Sequence, residues 1–165
     1  MAVTSMANTS SIKSGVVAGK ILQVVSATKV NAASTTSPSF SDIADLSVAI
    51  TPSAVSNKIM VFVQLSFSHS ASNTESSFNL VRDSTNLLQS TAGSSSNATF
   101  HTATSPTSVG IYGAPIMFLD SPSSTSSTTY KIQWRTGGGT FYVNRRGVSA
   151  EFGSTSTITL MEVAG

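Results

Sequence analysis

The sequence predicts an all-β fold, an antiparallel β-sandwich of jelly-roll type with an extended N-terminal arm. Ser and Thr make up about a third of the 165 residues, and both favour exposed strand faces and turns over helix interiors. Apolar residues alternate with polar ones in short runs, separated by Gly, Pro and Ser clusters at intervals of about 8 to 12 residues. We therefore expect around nine strands in a domain at residues 20–165, preceded by an arm at residues 1–19.

The longest alternating run, residues 58–69 (KIMVFVQLSFSH), predicts the central strand. Its odd positions carry an apolar row, while Met60 and Phe62 make the start of the opposite face apolar too. A sandwich covers only one face of each strand, so Met60 and Phe62 need a second cover. Another subunit could supply it, and so could a loop or the N-terminal segment of the same chain.

The other elements follow from alternation and from turn residues. A helix-like spacing of Phe40, Ile43 and Leu46 predicts a short turn or irregular edge before a strand that ends at residue 50. Gly110 and Gly113 indicate a bend or bulge, and Gly137 to Gly139 predict a tight hairpin. The predicted strands are residues 20–31, 46–50, 58–69, 78–82, 86–89, 109–119, 128–135, 141–143 and 156–163, and the hairpins join 78–82 to 86–89 and 128–135 to 141–143.

The first 19 residues have no sustained helix or strand period and predict an arm. Free termini are usually disordered unless they are tied down, so we expect an assembly partner to hold this segment, or the segment to pack along its own domain. Its apolar side chains are the candidate assembly contacts, together with Met60 and Phe62 of the long strand. They are Val3, Met6, Ile12, Val16 and Val17.

Composition excludes several classes of protein. The formal net charge is only +2, and the nine Lys and Arg are scattered, whereas nucleic-acid binding normally needs a basic stripe. The absence of Cys excludes disulfides and thiolate metal sites. No apolar run approaches the roughly twenty residues of a membrane span, and the N-terminus lacks the apolar core of a secretory signal. We expect a protein made in the cytoplasm, without nucleic acid and without a membrane span.

No catalytic motif is present. The two histidines, His69 and His101, cannot build a three-His metal site, and no serine stands in a Gly-x-Ser-x-Gly elbow. A glycosidase pair of carboxylates cannot be judged from sequence spacing; Glu75 and Glu151 are the acids we would test. We expect a protein that is not an enzyme and that carries no cofactor or metal.

A second candidate site is a patch of Tyr142, Asn144 and Arg145. Tyr142 should face away from the core because Phe141 and Val143 alternate with it, and an exposed aromatic ring can stack on a sugar. The patch is a candidate glycan-binding site, alongside the predicted loops at residues 70–77 and 90–108. The alternative is a solvated hairpin face or a subunit contact.

Seven blocks, taken in order, resemble a β-domain common in virion proteins of tailed bacteriophages, especially marine and cyanobacterial ones. The likeness extends from Gly19 to the end of the chain, and the order of the blocks carries more weight than any one of them. The blocks are residues 19–26 (GKILQVVS), 47–53 (SVAITPS), 56–61 (SNKIMV), 118–122 (FLDSP), 129–133 (TYKIQ), 142–145 (YVNR) and 156–162 (STITLME).

The resemblance implies a trimer-forming β-sandwich displayed on the virion, either as a capsid decoration (cement) protein or as a tail-fibre or receptor-binding domain. The family has no catalytic motif to carry over. We expect a homotrimer that contacts other virion proteins, such as the major capsid protein or tail proteins. A receptor-binding tip that recognises a host surface glycan is the alternative.

Overall fold

The computed structural model describes residues 19–70, 75–93, 96–103 and 110–165, which form eleven β-strands in two antiparallel sheets. The predicted all-β sandwich is therefore confirmed. No helix in these ranges is long and apolar enough to cross a membrane. The strands are β1 (Ile21–Lys29), β2 (Ala33–Thr35), β3 (Ser41–Ile50), β4 (Lys58–His69), β5 (Glu75–Arg82), β6 (Thr85–Leu87), β7 (Phe100–Ala103), β8 (Tyr112–Asp120), β9 (Thr128–Thr136), β10 (Phe141–Val143) and β11 (Ser156–Val163).

The first sheet is built around β4, as the sequence predicts. One edge of β4 pairs with β8 from Ile59 to Phe67, and the other edge pairs first with β11 and then with β10. β1 extends the sheet beyond β11, and β2 extends it beyond β10. Within the described ranges, β8 is therefore an edge strand, and β1, β11, β4 and β8 lie side by side.

The second sheet has the order β3-β9-β5-β6, with β7 pairing to β5. The core fills the space between the two sheets. From β4 it takes the alternate residues Ile59 to Phe67, all at most 4% exposed, and from β9 it takes Tyr130, Ile132 and Trp134. In both strands, the apolar residues that alternate with polar ones in the sequence are therefore the residues that face the core.

A buried polar cluster joins the sheets at one end of the core. The hydroxyl of Tyr130 on β9 donates to Asp120 Oδ2 on β8 over 2.6 Å, and Arg82 on β5 donates to the same oxygen over 2.7 Å. Burial first, and then the bond to Asp120, raise the pKa of Tyr130 far above its ordinary value. Asp120, the last residue of β8, is thus hydrogen-bonded to two strands of the opposite sheet.

The predicted hairpin around Gly137 to Gly139 is wrong. β9 pairs with β3 and β5 in the second sheet, whereas β10 pairs with β4 and β2 in the first. The three glycines carry the chain from one sheet to the other, and Gly139 has a φ of 62°. Phe141 is fully buried after this crossing, with its ring 4.9 Å from that of Phe78.

Other predictions needed smaller corrections. β3 is continuous from Ser41, but its pairing with β9 shifts register between Asp42 and Ser47, where Asp45 has a φ of 67°. This irregularity buries both Ile43 and Leu46, which explains their helix-like spacing. β8 pairs without a register shift from Tyr112 onward, so the strand contains no bulge at Gly113.

Three segments predicted as link or loop contain strand. β2 lies in the turn-rich stretch at residues 31–39, for which no strand was predicted, β7 lies within the predicted loop at 90–108, and β5 begins at Glu75, inside the predicted loop at 70–77. The hairpin of β5 and β6 is confirmed, with Leu80 opposite Leu87.

Candidate functional site

The outer face of the first sheet, on the side away from the core, has an uncharged part across four strands, bordered on β4 by Lys58 in the next row. Three rows of cross-strand neighbours form this uncharged part, each row with one residue from β1, β11, β4 and β8 in turn, and we refer to these twelve residues as the outer face. The rows are Val24-Met161-Met60-Leu119, Ser26-Thr159-Phe62-Met117 and Thr28-Thr157-Gln64-Pro115.

The apolar side chains of the outer face are open to solvent. Met117 is 67% exposed, Val24 53%, Leu119 42% and Phe62 38%, while Met60 is partly covered. A shallow, open depression of about 530 Å³ lies over the second and third rows, lined by Phe62, Met117 and their neighbours. Contiguous apolar surface of this kind marks an interaction site more often than isolated exposed residues do.

The sequence places Met60 and Phe62 on this face, but it does not reveal their neighbours. Val24, Met161, Leu119 and Met117 join them only through the register of strands that lie far apart in the chain. One feature of the sequence could have identified two of them. In β8, Met117 and Leu119 alternate with Ile116 and Phe118, so both faces of that strand are apolar.

The free edge of β8 is blunted. Pro115 lies in the middle of the strand and pairs with Gln64 without disturbing the register. Because proline has no N–H, it is tolerated only where its nitrogen faces away from the partner strand, and it interrupts the row of donors along the outer edge. A partner would therefore be received on the face of the sheet rather than along this edge.

A buried carboxylate holds the end of the sheet beside the first row. Glu162 on β11 is 1% exposed, and it accepts hydrogen bonds from Gln23 Nε2 (2.6 Å), the Ser53 amide (2.6 Å) and hydroxyl (2.7 Å), and Asn57 Nδ2 (2.5 Å). Burial alone would raise the pKa of Glu162, but these donors together outweigh it and lower the pKa to about 2. The sequence does not reveal this role of Glu162, because its hydrogen-bond partners lie more than 100 residues away in the chain.

The described chain begins at this same end of the sheet. The amide of Gly19 donates to the carbonyl of Ala164 over 2.9 Å, and the amide of Ala164 donates to the carbonyl of Lys20 over 2.8 Å. Gly19 has a φ of 83°, a conformation that favours glycine. The candidate contacts that precede it, Val3, Met6, Ile12, Val16 and Val17, lie outside the described residues.

Two of the three candidate glycan residues come together. The guanidinium carbon of Arg145 lies 4.4 Å from the centre of the Tyr142 ring, beside a small depression of about 130 Å³ that also involves Ala33. Asn144 is 2% exposed, and its amide donates to the carbonyls of Lys29 (2.8 Å) and Asn31 (3.2 Å). Asn144 therefore braces the chain internally, and the exposed part of the patch consists of Tyr142 and Arg145.

Each histidine lies near a serine: Ser76 Oγ is 3.4 Å from His69 Nδ1, and His101 is not arranged as a base towards Ser77. His101 Nδ1 lies 2.9 Å from Ser77 Oγ and 3.2 Å from the carbonyl oxygen of Ser76. Because a carbonyl can only accept, a proton on Nδ1 satisfies this arrangement, and that nitrogen is then not a base towards Ser77, which is itself fully buried. Burial lowers the pKa of His69 to about 4.

Among the residues that the structure describes, no three His, Asp or Glu side chains are grouped so that they could hold a metal ion. Glu151, one of the acids proposed for a carboxylate test, is bound to Arg146 at 2.8 Å on the surface. Glu75, the other, borders an open depression of about 300 Å³ next to His101.

Comparison with known proteins gives distant structural likeness only. No protein-family model and no curated protein matches the sequence. Three similar solved structures are infectious bursal disease virus strain Gx (14% identity, TM-score 0.45, 90% of this chain and 43% of that chain), strain Gt (16%, 0.46, 90% and 39%) and infectious bursal virus derived T=1 particles (15%, 0.45, 86% and 36%). This chain thus spans less than half of each of those chains. All three are structures of viruses or virus-derived particles, and none is of a tailed bacteriophage.

Proposed function

We propose that this chain is a structural protein of a bacteriophage virion, and specifically a capsid decoration protein that trimerises and reinforces the shell through its N-terminal arm. It acts in the virion as a non-enzymatic component, in contact with other virion proteins. The observation that carries the proposal is the outer face, an uncharged surface four strands wide on a domain with no recognisable reactive centre in its described part.

The size of the outer face supports a role in assembly. Four strands about 4.8 Å apart and three rows that span five residues along each strand give a surface of about 330 Å², to which both the apolar and the polar residues of the outer face contribute. Exposed apolar residues grouped on one surface of this size are commonly part of a binding site. A protein present in many copies on a particle needs only modest contacts per copy, because several linked contacts add up to tight attachment.

The rigidity of the sandwich also supports a role in reinforcing the shell. Its two sheets are joined through a core of large apolar side chains and through the bonds of Asp120 to Tyr130 and Arg82. Such a body resists deformation because a close-packed interior transmits strain rather than yielding to it.

The experiment that tests this proposal uses phage particles assembled without the chain. Purified full-length protein should bind these particles with a fixed stoichiometry, elute on its own at the mass of a trimer, and raise the temperature at which the shells break. A chain without residues 1–18 should bind far more weakly. Normal binding by the truncated chain would overturn the role of the arm, and failure of the full-length chain to bind any particle would overturn the proposed function.

A second candidate function is a receptor-binding tip that recognises a host surface glycan. The observation that favours it is the Arg145–Tyr142 pair, which places an aromatic ring and a cation beside a small depression. A tip should bind host cells, block infection and lose both properties in a Tyr142→Ala variant. If the protein gives no signal on a glycan array and binds empty shells, the receptor-binding role is excluded and the decoration role is retained.

A further inference from the structure

We propose that residues 1–18 of one copy of this chain lie across the outer face of a neighbouring copy, so that the subunits are held together by exchanged arms. The inference rests on the proposed function in that it assigns the surface and the partner through which the subunits assemble. The occupant is a segment of this same chain that precedes the described residues.

The outer face by itself is too small to hold two copies face to face. A stable interface commonly buries about 800 Å² on each partner. The outer face offers less than half of that area by its strand geometry. A peptide arm that lies over the face can bury more area, because the domain to which it belongs adds further contacts.

The composition of the arm suits the outer face. Residues 1–18 contain one charged side chain, Lys13, and the outer face contains none. The candidate contacts of the arm are apolar, namely Val3, Met6, Ile12, Val16 and Val17. Apart from Lys13, such a segment places no charged side chain over the outer face, where an unpaired buried charge would be costly.

The point at which the arm leaves the domain also suits this assignment. Gly19 is hydrogen-bonded to Ala164, one residue beyond the end of β11, so the arm departs at the end of the sheet where the first row lies. Its positive φ redirects the chain at that residue. The arm therefore begins at the end of the sheet next to the row of Ile21, Val163 and Lys58, which precedes the first row of the outer face.

Length favours exchange between copies. An extended chain advances up to about 3.5 Å per residue, so 18 residues reach roughly 60 Å. Four strands are only about 19 Å wide. An arm that remained on its own domain would cross the outer face within about six residues, and this would leave Val3 and Met6 with no part of the face to cover.

The proline in the edge strand β8 limits how the arm can bind. Pro115 interrupts the donors along that edge, so the arm cannot continue the sheet as an added strand over the full length of β8. It binds through side chains placed over Phe62 and Met117, where the depression lies. Recognition is therefore apolar and is predicted to be insensitive to salt.

The chain contains no cysteine, so single cysteines can report where the arm lies. A full-length Met6→Cys chain that carries a mass tag is mixed with an untagged full-length Met117→Cys chain and oxidised gently. The matched control replaces Met117→Cys by Leu88→Cys, because Leu88 follows β6 on the second sheet and is 47% exposed. Disulfide-linked heterodimers are then measured on a non-reducing gel.

Arm exchange predicts heterodimers with Met117→Cys at about a hundredfold higher yield than with Leu88→Cys at micromolar protein, because a docked arm has an effective concentration in the millimolar range. In the double variant Met6→Cys/Met117→Cys, we expect linked multimers. Heterodimer yields equal to the control, or a double variant that closes only within single chains, would overturn the inference.

The outcome is separable from the proposed function. Binding of the unmodified full-length chain to particles tests the virion role, and the cysteine pairs test where the arm lies. Particle binding without heterodimers removes arm exchange and leaves the virion role. Heterodimers without binding to any particle support arm exchange and remove the virion role.

Discussion

Met117 and Phe62 are direct neighbours across the β4–β8 pair, and both point away from the core although each is large and apolar. In a domain whose inner face is already closed by β9 and its neighbours, this pair adds nothing to the core. Exposed apolar neighbours of this kind are typical of an interaction surface.

The first prediction concerns Met117→Lys. Because Met117 is 67% exposed, the free energy of unfolding should change by no more than about 0.5 kcal/mol. A charge in the middle of an uncharged contact should nevertheless abolish assembly, and light scattering after size-exclusion chromatography should report a monomer. The control Leu88→Lys should assemble like the unmodified chain, and assembly by both variants would remove the outer face as the contact.

The second prediction concerns Glu162→Gln. The substitution replaces a buried carboxylate by a neutral amide, whose oxygen can still accept from Ser53 and Asn57 but whose NH₂ then faces the Gln23 amide donor. We expect a loss of about 3 kcal/mol in the free energy of unfolding, measured by urea denaturation. The matched control Glu151→Gln breaks only the exposed pair with Arg146 and should cost less than about 1 kcal/mol. Equal effects would show that the Glu162 network does not stabilise the fold.

The third prediction concerns acid stability at Glu162. The folded pKa of about 2 lies below the ordinary value of 4.5, so the unfolded chain binds more protons between these two pH values. The stabilisation is fully present above about pH 4.5 and is lost as the pH falls towards 2. The stability deficit of Glu162→Gln relative to the unmodified chain should therefore shrink over this window. A deficit that is constant from pH 7 to pH 2.5 would contradict the assignment.

The fourth prediction concerns His69, whose folded pKa of about 4 lies below its ordinary value of 6.5. The neutral form belongs to the folded state, so stability is complete above pH 6.5 and falls as the pH is lowered from 6.5 to 4. This change corresponds to about 3 kcal/mol. Thermal melts of His69→Gln should lose the pH dependence in that window. A His101→Gln variant is the comparison and should keep it.

The fifth prediction concerns Tyr130→Phe. Removing the hydroxyl leaves Asp120 with Arg82 but without the 2.6 Å bond that joins β9 to β8. We expect a loss of about 1 to 3 kcal/mol in the free energy of unfolding, with assembly retained. Tyr142→Phe removes a hydroxyl from a half-buried ring and should be close to neutral. A neutral Tyr130→Phe variant would mean that the cluster adds no net stability.

Much of the architecture could be predicted from local patterns. The alternation in β4 and β9 predicted two strands with one buried face each, and the pair Met60 and Phe62 predicted a second apolar surface on β4. These predictions succeeded because the period of two is set by the backbone of a strand and requires no knowledge of its partners. The short strands β2 and β7 were missed, since three or four residues of mixed polarity carry no period.

What the sequence by itself determined is the fold class, the central strand and the side of each long strand that faces the core. Only the tertiary structure decided that β10 crosses to the first sheet, that Asn144 is buried, and that Val24, Met161, Met60 and Leu119 form one row. The physical reason is that alternation records whether a side chain is buried, whereas pairing and register depend on which distant strands close the core together.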